Sequence, residues 1–149
     1  MTNVLHAIRK LRELTWRRRL LLLRACARLG WTALNLRLRP TFYVRRRLQQ
    51  TPRPSGAPSS FQPEDVAWAV TIAARYVPGG DNCLVQALAG AAIMARLGLP
   101  ARVRLGVAHQ GVFAAHAWVE CGDRIVIGAQ EAARYSGLPP TACNNLPSR

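Results

Sequence analysis

Residues 81–121 read DNCLVQALAGAAIMARLGLPARVRLGVAHQGVFAAHAWVEC, and this stretch decides the fold. Asp81 or Asn82 can accept from the first free backbone N–H groups of a helix, and the apolar run Cys83 to Leu97 supplies its body. Gly98 and Pro100 stop it. Arg102 to Val107 and Val112 to Cys121 then alternate with period two, the pattern of strands with one buried face. Gly122-Asp123 predicts a hairpin turn into a further strand, Arg124 to Ile127. Helix followed by antiparallel strands is an α+β arrangement.

Upstream, Pro63 followed by Glu64 and Asp65 opens a helix that runs to about Tyr76, with its acids at the positive end of the helix dipole. Pro78-Gly79-Gly80 closes it. The stretch Gln49 to Ser60 has three prolines with glycine and serine, the composition of a linker. From Val4 to about Leu29 recurrent leucines among arginines predict one or two helices, with Gly30 as the stop. Trp31 to Arg39 fits a helix or a strand before Pro40 equally well. Three regions follow: a basic, mostly helical extension or docking region at 1–50, a linker at 51–60, and a folded domain at 61–149.

The charge distribution sharpens that division. Of 21 Lys and Arg against 7 Asp and Glu in 149 residues, the first fifty hold 13 basic groups and the single acid Glu13. The remainder is nearly balanced, so a nucleic-acid footprint could belong only to the first third, and nucleic acid is not the expected partner. Leu20 to Leu23 is bracketed by arginines and far short of the roughly twenty residues of a membrane span. Four widely spaced cysteines without a secretory signal suggest a reduced chain in the cytoplasm.

Two residues carry the candidate chemistry. Cys83 follows the helix cap, where free N–H groups and the dipole suit a thiolate nucleophile. A small buried hydrophobe is the competing reading of the same residue. His116 shares a strand face with Trp118, opposite Phe113, Ala115, Ala117 and Val119, and an imidazole there can accept a thiol proton. The backbone N–H of Cys83 is a candidate oxyanion donor. Trp68 and Trp118 suit either a substrate groove or core packing.

The stretch Asn82 to Leu88, then Gly98-Leu99-Pro100-Ala101, then His116-Ala117-Trp118-Val119-Glu120 resembles the transglutaminase-like cysteine peptidases of lasso peptide biosynthesis, the split B2 proteins, over residues 60–139. The resemblance implies a small papain-like or transglutaminase-like domain with an antiparallel sheet. It also implies removal of a leader from a ribosomally made precursor peptide, with Cys83 as nucleophile and His116 as general base and then acid. A separate leader-recognition protein would be a partner, with the lasso cyclase a further one. The family has an aspartate on the strand after the histidine, and this sequence has Gly128 at the aligned position. A three-residue hairpin centred on Gly122 would set Gly128 opposite His116. Gln130 is then the expected orienter of the ring, with Glu131, Asp123 or a bare dyad held by backbone or water as rivals.

Other classes stay open. The same thiolate and histidine would serve a transamidase or acyltransferase. Arg17, Arg18 and Arg19 with Arg45, Arg46 and Arg47 suit an acidic partner or a weak anionic membrane contact, and such patches alone would make a non-catalytic binding module or scaffold. Cys83, Cys121, Cys143, His109 and His116 include no close ligand pair, so no metal is expected. No phosphate loop occurs and no cofactor is expected.

Overall fold

The computed structural model describes residues 15–49, 60–110, 112–129 and 136–137. Among these residues four helices come first, α1 (Trp16–Leu38), α2 (Pro40–Gln49), α3 (Pro63–Ala74) and α4 (Cys83–Arg96). Strands β1 (Arg102–Gln110), β2 (Val112–Cys121), β3 (Arg124–Ile127) and β4 (Ser136–Gly137) follow and form one antiparallel sheet in the order β3-β2-β1-β4. This is the expected α+β class, a transglutaminase-like arrangement of helices on a small antiparallel sheet. The two-residue β4 is too short to show a period of two in sequence.

Helix α1 does not stop at Gly30. A lone helical glycine costs only about 1 kcal/mol relative to alanine, and packing on both sides of it outweighs that. Leu21, Ala25, Leu29 and Thr32 are all buried. They lie on the side that packs against α3 and α4, in one core with Val66, Ala69, Val70 and Ala73 of α3 and Val85, Ala89 and Ile93 of α4. The open choice for residues 31–38 therefore falls to helix. The break comes at Arg39, whose φ of −145° and ψ of 64° are non-helical, because a residue before proline is pushed out of the α region. Pro40 then starts α2, which Tyr43 ties back to α1 through a 3.4 Å contact between its hydroxyl and Thr32 Oγ1.

Both later helices begin where their caps predict. The Gln62 N–H donates to Asp65 Oδ2 at 3.1 Å ahead of α3. Asn82, rather than Asp81, caps α4. At the other end of α4 the Leu99 N–H donates to Met94 O at 2.9 Å and the Gly98 N–H to Ala95 O at 3.2 Å, a Schellman closure. The linker predicted at 51–60 lies outside the described residues except for Ser60. No helix among the described residues is long and apolar enough to cross a membrane.

The sheet is positioned by close contact with α4. Cys83, Ala87, Gly90 and Met94 recur at helical spacing and form one stripe. A Cβ at Gly90 would lie 2.3 Å from Ile127 Cδ1, so glycine is what lets the helix axis approach β3. Ile127 pairs with Val119 in the sheet and shares its face. Ala117, Val119 and Ile127 therefore form the α4 side, and His116 and Trp118 project from the other.

Candidate active site

Cys83 is the first residue of α4 and is half-buried. Asn82 organises the turn around it. Its Oδ1 accepts from the N–H groups of Leu84 at 2.9 Å and Val85 at 3.4 Å, and its carbonyl accepts from the Gln86 N–H at 3.0 Å. None of these bonds takes the N–H of Cys83 itself. Sulfur and donor thus sit on one residue, the disposition an oxyanion site requires.

His116 is 5% exposed on β2, where it pairs with Gly106 of β1. Its Nε2 lies 3.2 Å from the carbonyl oxygen of Gly128. A carbonyl only accepts, so Nε2 carries the proton and donates it. That tautomer makes Nδ1 the basic nitrogen. A backbone oxygen therefore orients the ring at the place where the resemblance implies a carboxylate.

The glycine is needed there. Its φ is +79°, and a Cβ would lie 3.1 Å from each of Ala117 O, His116 Nε2 and Trp118 Cβ. A side-chain acid at position 128 would meet the His116 ring, the Trp118 Cβ and the β2 backbone together, so the position does not accommodate one.

The hairpin register also differs from the three-residue version. Cys121 pairs with Arg124 and Glu120 with Ile125, which leaves a two-residue Gly122-Asp123 turn. A bulge at Val126 then brings Val119 to Ile127. Gly128 consequently contacts Trp118 as well as His116, instead of lying squarely opposite the histidine. Asp123 sits in the turn beyond Cys121, which is itself five strand residues or roughly 16 Å from His116 at strand rise, too far to orient it. Gln130 and Glu131, the other named orienters, lie outside the described residues, as do Cys143 and the side chain of His109.

A clamp that the sequence reading missed steadies the histidine from its other side. The rings of His116 and Trp118 stack with centroids 6.2 Å apart and planes at 21°. The Trp118 indole N–H donates to Glu120 Oε1 at 3.1 Å, and Arg104 Nε donates to Glu120 Oε2 at 3.0 Å. Burial raises the Glu120 pKa, but hydrogen bonds from Arg104 and Trp118 and the charges of Arg104 and Arg102 outweigh it and leave the carboxyl below its ordinary range. The signal was the spacing of His116, Trp118 and Glu120 on one strand face. Trp118 is buried and Trp68 is partly buried against the core.

The structure places Cys83 and His116 on adjoining elements but on opposite faces of β2, since α4 packs on the Ala117 and Val119 side of that strand. Among the described residues no hydrogen bond joins the sulfur to the ring. The other thiols have different surroundings. Burial pushes the Cys26 thiol up, against a backbone hydrogen bond. Burial and then the Glu64 charge push the Cys121 thiol up, against Arg124. Among the described residues no group of three or more His, Cys, Asp or Glu gathers in a way that could hold a metal ion.

The basic residues named for docking divide. Arg17 donates to Ser60 Oγ and lies over the Phe61 ring at 5.3 Å, and Arg18 meets Asp65 Oδ1 at 3.4 Å and the Trp68 ring at 5.7 Å. These two hold α1 to the entry of α3. Arg19 is half-buried beside them, Arg45 and Arg46 are exposed on α2, and the side chain of Arg47 lies outside the described set.

Residues 26–139 match the transglutaminase-like superfamily, and the chain belongs to it. The match covers more than half of the chain, takes in Cys83, His116 and Gly128, and begins within α1. The fold is accordingly that of a superfamily whose chemistry is cysteine-based. Comparison with curated proteins and with solved structures finds no match.

Proposed function

We propose that the chain is a cysteine peptidase that removes the leader from a ribosomally made lasso precursor. The observation that carries this reading is the Nε2–H to Gly128 carbonyl bond, which makes Nδ1 the base of a histidine in a transglutaminase-like fold whose α4 begins with a cysteine. The order of the cysteine helix, glycine-proline turn and histidine-tryptophan strand supports the lasso assignment within that superfamily.

In the reaction, His116 Nδ1 takes the Cys83 thiol proton as the sulfur attacks the scissile carbonyl. The oxyanion is held by the Cys83 N–H. Collapse passes that proton to the departing amine, which leaves as the N-terminus of the core peptide while the leader stays on sulfur as a thioester. Water then attacks the thioester with His116 as base, giving the leader carboxylate and the free thiol. The reaction requires the sulfur and Nδ1 to come within hydrogen-bond reach in the substrate complex, and because α4 and the ring lie on opposite faces of β2 this takes a movement of the histidine strand or of the start of α4. A separate leader-recognition protein presents the precursor in the cytoplasm, and the cyclase takes the released core.

The test follows peptide masses over time with wild type or Cys83→Ala, the neighbouring gene cluster's precursor and its leader-recognition protein. One specific cleavage product is expected from wild type, with turnover reduced by at least about a thousandfold in the variant. Equal cleavage by both proteins would overturn the nucleophile. Recovery of only amine-linked product in the presence of a competing amine would make the chain a transamidase. No product from either protein, with precursor and partner still bound, would make it a binding module.

A further inference from the structure

Helix α1 carries two apolar stripes on opposite sides. The inner one, Leu21, Ala25, Leu29 and Thr32, is buried in the core. The outer one is Trp16, Leu20, Leu23, Trp31, Leu34 and Leu38, all exposed, with Trp16 at 75% and Leu38 at 70%. With Ala27 filling the gap, the steps along this outer stripe are of three and four residues throughout, a single straight seam. Scattered exposed leucines are ordinary, but a contiguous seam along the whole of a helix marks a contact surface.

Midway along the seam the surface dips. An open cavity of about 380 Å³ between α1 and the end of α4 is lined by Arg24, Ala27, Arg28, Ile93, Arg96 and Leu97. Ala27 belongs to both the seam and the cavity wall. Arg24 and Arg96 are exposed, and Arg37 flanks the seam from its other side.

We propose that this outward face of α1 is a docking surface for an acidic amphipathic helix of a partner protein, whose apolar residues interleave with the seam and whose central carboxylate enters the arginine-lined cavity. Three features select that occupant. The spacing in steps of three and four residues is a narrow seam that suits packing against another helix, whereas a bilayer surface favours a broader apolar face. The concavity beside Ala27 holds a projecting side chain, which a flat surface does not offer. A second copy of this chain would bring the same arginines to the contact, and the net charge of +14 sets the two copies against each other. An acidic helix meets all three conditions and gains bidentate partners in Arg24 and Arg96.

The probe is a fluorescent synthetic peptide of roughly three heptads, with Leu at a and d and Glu at e and g, titrated against the full chain by anisotropy. Saturable binding in about the micromolar range is expected, weakening as salt rises. It should fall by at least about tenfold in Leu23→Glu/Leu34→Glu and again in Arg24→Glu/Arg96→Glu, a pair that leaves the seam untouched. The helix content and melting temperature of both variants should match wild type. The same peptide with Lys in place of Glu should not bind. The proposal is overturned if wild type shows no saturable binding, or if both variants bind as wild type does. Retention on phosphatidylglycerol vesicles without peptide binding overturns it in favour of a membrane. A concentration-dependent dimer abolished by Leu34→Glu overturns it in favour of a second copy. Peptide binding that emerges only on deletion of residues 1–14 overturns it in favour of an intramolecular cover.

Discussion

Helices α1 and α4 are both rich in leucine and alanine, yet one is covered almost all round and the other on one side only. In α4, Val85, Ala87, Leu88, Ala89, Gly90, Ala91, Ile93 and Met94 are all buried between α1, α3 and the sheet. In α1 the apolar residues split into an inner and an outer set that face opposite ways. A helix buried on every side gains nothing from an amphipathic pattern, so its reading rests on caps and stops. A helix with two apolar sides shows an imperfect stripe for another reason, because the two sides cancel when averaged round the axis. The difference teaches that a weak stripe can conceal a second surface.

The sharpest way to break this comparison is to truncate one leucine on each side of α1. Leu29→Ala, fully buried, should lower the unfolding free energy by about 2–5 kcal/mol. Leu34→Ala, half exposed, should change it by less than about 0.5 kcal/mol. Urea titrations of both variants decide the matter, and equal losses would show that the outer face is covered in solution. Next in size is Gly128→Ala, where a positive φ and three contacts at 3.1 Å should cost about 1–3 kcal/mol. The nitrogen-15 shifts of the His116 ring should change with it if the carbonyl holds the tautomer. Unchanged ring shifts in a folded variant would remove Gly128 from the site.

How much of this was legible follows from the kind of signal each feature leaves. The start of α4 was readable because Asn82 has a side chain suited to a cap, and β2 because its alternation is long. The course of α1 through Gly30 was not, since a glycine stop is a local signal and the burial of Leu29 and Thr32 on either side of it is tertiary. Charge separates the first third of the chain, but burial follows the stripe, so Leu21, Ala25 and Leu29 join the same core as α3 and α4. At the site, Cys83 and His116 were visible as side chains in a recognisable order. The partner of His116 was not, because it is a backbone oxygen that any residue would possess and only a bulged register delivers. The sequence pattern points to a side-chain acid on the following strand, and the fold uses a carbonyl there instead.

The cap of α4 supplies a smaller test on the other side of the comparison. Asn82→Ala leaves the N–H groups of Leu84 and Val85 without their acceptor and should cost about 1 kcal/mol. Because the lost oxygen organises the turn that carries Cys83, alkylation of that thiol by iodoacetamide should change in the variant while alkylation of Cys26 and Cys121 does not. A fall in stability without any change at Cys83 would separate the cap from the nucleophile.

The smallest expected effect comes from Glu120, which braces the Trp118 indole beside His116. Its carboxyl titrates lower in the folded chain than in the unfolded one, because Arg104 and Trp118 bond the charged form. The unfolded state therefore binds more protons than the folded state through that window, and stability falls as pH falls. The contribution is complete above the unfolded glutamate value of about 4.3 and is lost as pH drops through the lower folded value. For a pair that is partly exposed, about 0.2–1 kcal/mol is at stake. Glu120→Gln should thus be less stable than wild type at neutral pH by that amount, with the gap closing toward pH 3 in parallel urea titrations. A gap that stays constant with pH would mean that the side chain's shape, and not its charge, holds Trp118 against the histidine.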